Sequence, residues 1–172
     1  MAPLLPALPD AARVWTFALA GDADRGGAIL DEMRAFCGTW TSHGRPVPAD
    51  AALVTPEGFP GVVLAVAARL SDGEVNAGVS GCGIDAMQHA VEVLTERHGV
   101  RPVPALSVVY RGADGAWQAA PRPAFRALTR QGDADGATRV LDLTATTLGA
   151  LRAGGVDRPA AEAWHGRAFR LA

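Results

Sequence analysis

Residues Val62 to Ala68 read Val-Val-Leu-Ala-Val-Ala-Ala, seven apolar side chains in a row. The run lies between the turn Glu57-Gly58-Phe59-Pro60-Gly61 and a polar stretch that begins at Arg69. It is too short for a typical buried helix and rich in β-branched residues, so it reads as a strand. A strand apolar at every position has no face to offer to water and belongs in the middle of a sheet. The rest of the chain must supply its neighbours.

Candidate neighbours are legible on both sides. Val14 to Leu19 is β-branched and aromatic, a second strand. After a turn over Gly21 to Gly27, with Asp22 or Asp24 as N-cap, apolar residues recur at Ile29, Met33, Phe36, Cys37 and Trp40. That spacing predicts one face of a helix, stopped near Gly44. Ala51 to Val54 predicts another strand. Arg69 to Ala77 reads as a polar loop, leading into Gly78-Val79-Ser80-Gly81-Cys82-Gly83 and a helix to about His98, with Gly99 as its stop. Ile84, Met87, Val91 and Leu94 form the core stripe of that helix. Ala105 to Tyr110 predicts a fourth strand, and Trp117 a short hairpin beyond the turn at Gly112 to Gly115.

Strand, helix, strand, strand, helix, strand is the split βαβ pattern. The expected fold is therefore α+β, a ferredoxin-like βαββαβ core over residues 13–120. Residues 1–12, with Pro3, Pro6 and Pro9, read as a flexible tail. Residues 121–172 read as a helical C-terminal extension packed on the same domain. One helix is expected around Thr138 to Leu151, and another from Asp157 and Pro159 to Gly166.

Function classes are narrowed mainly by what is missing. The chain has no lysine, so a Walker A loop lacks its phosphate-reaching amine and no side chain can form a Schiff base. A net charge of −2, with the arginines scattered along the chain, predicts no general attraction to nucleic acid. Two cysteines are too few for a disulfide scaffold or a zinc knuckle and point to a reducing cytoplasmic setting. No cofactor or metal is expected. The N-terminus has no basic region of a signal peptide, and no apolar run is long enough to span a bilayer, so a soluble protein without membrane contact is expected.

The chemistry-bearing residues concentrate at the two helix ends. Traced through the ferredoxin-like order, Trp40, Ser42, His43, Arg69, Ser80, Cys82 and Tyr110 share one end of the sheet. Cys82 at a helix N-terminus would have its thiolate favoured by the helix dipole, with His43 as base and Asp85 as orienter. It also reads as a small residue packed under the loop, the commoner place of a free cysteine. Ser80 reads as an N-cap, or as a hydroxyl that contacts an anion together with the amides of Gly81, Cys82 and Gly83. Asp85 and His89, one turn apart, read as a solvated face or as an Asp–His pair. His43 also fits a structural role before a C-terminal glycine. Cys37, on the buried stripe, reads as a small core hydrophobe.

Trp40-Thr41-Ser42-His43-Gly44, then Ser80-Gly81-Cys82-Gly83-Ile84-Asp85 with His89, then Ala163-Trp164-His165 are similar in order and spacing to three segments of one family. The chain resembles small uncharacterised bacterial proteins, familiar from Bacteroidetes, that carry W-x-SHG, SGCSID-x-x-x-H and SWH-like segments. Gly83 and Ala163 replace two of the family's serines. Some members are labelled "ABC transporter ATPase", which the absence of lysine and of a Walker loop does not support. The resemblance adds weight to the Cys82–His43 end and implies no particular reaction.

Three functional readings follow. The first is a module that binds a small anionic ligand or a partner, with Trp40, Ser42, Arg69, Ser80, Gly81, Gly83 and His89 lining the site. The second is a cysteine-dependent enzyme using Cys82, His43 and Asp85. The third is a structural or homo-oligomeric interaction protein presenting an exposed sheet face.

Overall fold

The computed structural model describes residues 3–69 and 79–171. Beyond Arg69 the expected polar loop, and Gly78 with it, lies outside the described residues. The all-apolar run forms β5 (Gly61–Ala68), and each of its eight residues is buried. Antiparallel to it runs β1 (Arg13–Ala20), with Arg13 opposite Ala68 and Ala20 opposite Gly61. On its other side lies β4 (Ala49–Leu53), also antiparallel. A Cβ on Gly61 would come within 2.1 Å of the Leu19 carbonyl oxygen, so only glycine permits the strands to close there.

The fourth strand of this sheet differs from expectation. It is β6 (Arg101–Pro102), two residues paired to Leu19 and Ala20. Pro102 and Pro104 cannot donate to a ladder. Pairing therefore fades after Val103, whose amide reaches the Ala18 carbonyl. The expected strand over Ala105 to Tyr110 forms as β7 (Ser107–Arg111) in a second sheet. The first sheet has the order β4-β5-β1-β6.

Two helices cover one face of it, α1 (Gly26–Thr39) and α2 (Gly81–His98). Ile29, Met33 and Cys37 from α1, and Met87, Val91 and Leu94 from α2, meet Leu19, Val62, Leu64 and Val66. Ile84 is only half-buried, and Gly83 and Thr95 extend the α2 stripe instead. Gly99 closes α2 in the left-handed conformation, as its position predicts. The first helix does not run to Gly44. It ends at Thr39, and the chain turns back as a hairpin of β2 (Thr41–Ser42) and β3 (Arg45–Pro46). His43 (φ 51°) and Gly44 (φ 73°) are both left-handed, the geometry of a tight primed turn.

The second sheet contains β7, β8 (Trp117–Pro121), β9 (Arg139–Leu141) and β10 (Asp157–Pro159), in the order β10-β9-β7-β8. The region from residue 121 is thus not wholly helical. The helix expected from Thr138 begins as β9, and only Leu148–Gly154 is helical, as α4. Asp142 accepts from the amide and hydroxyl of Thr144, a local bond that competes with helix, and Thr147 caps α4 instead. Two further helices, α3 (Arg122–Gln131) and α5 (Trp164–Phe169), cover the outer face of this sheet through Phe125, Trp164 and Phe169.

The two sheets lie face to face. Alternate residues of β5 divide between them: Val62, Leu64 and Val66 meet the helices, while Val63, Ala65 and Ala67 meet Val109, Trp117 and Leu141 of the second sheet. The result is four layers, helix–sheet–sheet–helix, in an α+β fold. Both faces of β5 are therefore covered. The N-terminal segment is not a free tail either. Leu5, Leu8 and Ala12 are buried between the layers. Arg152 of α4 donates to the carbonyls of Leu4, Leu5 and Leu8 and pairs with Asp10.

Candidate functional site

The hairpin and the start of α2 meet directly. Trp40 is buried against Trp15 and Phe36, and its indole Nε1 donates to the Gly83 carbonyl at 3.0 Å. Ser42 Oγ donates to Ser80 Oγ at 2.7 Å and accepts from the Ser80 amide at 3.1 Å. Ser80 Oγ in turn accepts from the Gly83 amide, so Ser80 is the N-cap of α2. A Cβ on Gly83 would stand 2.6 Å from Val79 Cγ1 and 3.4 Å from Ser42, which is why the helix start seats so closely on the hairpin.

Trp40, Ser42, Ser80 and Gly83 are therefore brought together, as expected, but each spends its polar group on another. What stays open at this rim are the exposed His43 and Cys82 and the first residues of α2. Among the described residues the Gly81 and Cys82 amides meet no acceptor, whereas the Gly83 amide is taken. No hydrogen bond joins Cys82, His43 and Asp85 to one another among the described residues. Arg69 follows β5, and its amide donates to the Pro48 carbonyl.

Other expected members stand apart. His89 lies 3.6 Å from Glu92, with both side chains 76% exposed, as a solvated pair on the outer face of α2. Tyr110 belongs to the second sheet, bonded to Gln118 and packed on Phe125. Cys37 is a core residue, and burial pushes its thiol up to about 12. Among the described residues no group of three metal-ligating side chains converges.

Two features escaped the sequence. The first is a cleft of about 240 Å³ lined by Asp142, Thr144, Thr146, Ala150 and Arg158. Asp142 is 6% exposed, and Arg158 Nη1 stands 3.6 Å from its Oδ2. The spacing Asp142-Leu143-Thr144 carries a signal for a local turn, hidden by the apolar periodicity that suggested a helix there. The second is His165, 1% exposed, with its ring 4.0 Å from Trp164 and its Nδ1 without a partner. Burial lowers its pKa to about 4, Asp142 acts in the opposite sense, and Arg122 adds to the lowering.

No family model, curated protein or solved structure matches the chain. Among the described residues no helix is long and apolar enough to cross a membrane.

Proposed function

We propose that this chain is a non-catalytic binding module that takes a small anion at the rim between the His43–Gly44 turn and the start of α2. The observation that carries this is the Ser42–Ser80 contact, which fixes the two segments side by side. The ligand would take the Gly81 and Cys82 amides, where the helix dipole favours negative charge, with the His43 imidazole on the neighbouring turn. Trp40, Ser42, Ser80 and Gly83 hold the rim in shape rather than touch the ligand.

The first sheet and its two helices support a ferredoxin-like reading of this half of the molecule, through the order β4-β5-β1-β6 and its antiparallel pairing. Likeness to the bacterial family of W-x-SHG proteins belongs to the same proposal, since two of its three segments meet at the rim. The unpaired thiols of Cys37 and Cys82 support a cytoplasmic setting. The enzymatic alternative would need Cys82 within hydrogen-bond reach of its base, and no observation favours it.

Titration of inorganic phosphate into isotope-labelled protein tests the site. Amide shifts at Gly81 and Cys82 are expected, saturating with a Kd on the order of 1 mM, and lost in Ser80→Pro but not in Cys82→Ser. Shifts confined to other residues, or none, would overturn the reading.

A further inference from the structure

Tertiary structure gathers arginines that the sequence disperses. Among the described residues Arg25, Arg34, Arg97, Arg139, Arg152 and Arg158 make ion pairs. The outer helix layer gathers five that do not. Arg122, Arg126 and Arg130 lie at i, i+4 and i+8 on α3, one stripe of a helix. Arg167 and Arg170 stand on α5 and at its end. All five are exposed, and none forms an ion pair among the described residues. Two are held on rings, Arg122 over Trp164 at 4.8 Å and Arg126 over Phe169 at 5.7 Å. Carboxylates on the same layer are Asp133, Asp135 and Glu162; Asp135 is occupied by the Ala137 and Thr138 amides.

We infer that this layer is a docking surface for the phosphodiester backbone of a nucleic acid. Five cations left unpaired repel one another, and a polyanion relieves that repulsion. Guanidinium forks match phosphate oxygens two at a time, and stacking on a ring holds a fork in place before contact. A protein partner would want a buried apolar anchor, and stable attachment to an anionic bilayer an apolar wedge or acyl chain beside the charge. The layer has neither, because the large hydrophobics exposed among the described residues are Val93 and Leu106, outside α3 and α5. Trp164 is half-buried and already packed against Arg122 and His165, so it offers bases little platform and contact runs to the backbone. The overall charge of −2 argued against nucleic acid, but a strand bound at short range meets the local patch, not the sum.

The test is fluorescence anisotropy of a labelled single-stranded oligonucleotide with the full chain. Five phosphate contacts on a single strand predict about 100-fold weaker binding at 200 mM than at 50 mM salt. Replacing Arg122, Arg126 and Arg130 together by Gln is expected to cut that ratio to about sevenfold. Since Arg122 and Arg126 touch rings, a second variant, Arg130→Gln/Arg167→Gln/Arg170→Gln, makes the same change in charge without touching a recorded ring contact. Arg25→Gln/Arg45→Gln/Arg101→Gln, away from the layer, should leave the ratio unchanged. No binding at 50 mM salt, or an equal effect of the distant triple variant, would overturn the inference. An acidic peptide competing better than the oligonucleotide would also overturn it, by assigning the surface to a protein.

Discussion

His165 is the residue whose chemistry and surroundings disagree most. An imidazole buried among Phe125, Trp164 and Phe169 must stay neutral, because protonation would place a charge where water cannot reach it. Its folded pKa, about 4, lies below the ordinary histidine value, so the unfolded chain binds the proton more readily. Stability should therefore be level above pH ~6.5 and fall as pH drops from there toward about 4. Urea midpoints across that window check this. His165→Phe should flatten the slope while keeping the stacking. Glu32 acts in a separate window: the hydrogen bond from His98 holds its carboxyl below the usual value, so that contribution disappears only below pH ~4.5. In the sequence His165 precedes Gly166 just as His43 precedes Gly44. That likeness could not show that one is sealed in a core and the other left in water, since burial depends on which distant residues arrive.

At the scale of elements, the junction of hairpin and α2 rests on few groups. Ser80 serves as cap, as acceptor from Ser42 and, through its amide, as donor to Ser42. Ser80→Ala should lower stability by about 1–2 kcal/mol in urea unfolding, the usual cost of losing an N-cap. Ser80→Asp should recover most of this, because a carboxylate can accept from both the Gly83 amide and Ser42. If Ala and Asp behave alike, the cap contributes nothing and packing alone holds the junction. The strands β1, β4 and β5, both long helices and the Gly99 stop were legible because each depends on local periodicity and termination. Lost were the short strands β6, β9 and β10, where two or three residues pair and no period can be established. The turn at His43–Gly44 was missed for a related reason. A glycine after an apolar stripe reads as a helix stop until one sees that the helix has already ended at Thr39 and that Gly44 sits in the hairpin turn itself.

For the molecule as a whole, the N-terminal segment is a structural part. It inserts Leu5 and Leu8 into the core shared by the two sheets, and Arg152 ties down three of its carbonyls. Arg152→Met keeps the aliphatic stem but leaves those carbonyls without a donor. Limited proteolysis should then cut within residues 3–12, at sites resistant in the wild type, with a loss on the order of 2 kcal/mol. Unchanged resistance would show that apolar burial alone holds the segment. The sequence by itself determined that a doubly buried strand stands at the centre, that two amphipathic helices flank it, and that the lysine-dependent chemistries are closed. Tertiary structure alone decided what covers the far face of that strand, where Cys82 and His43 stand relative to each other, and that five dispersed arginines share one layer. Periodicity along a chain records which face of an element avoids water, whereas the partner that covers the face is set by contacts between residues far apart in sequence.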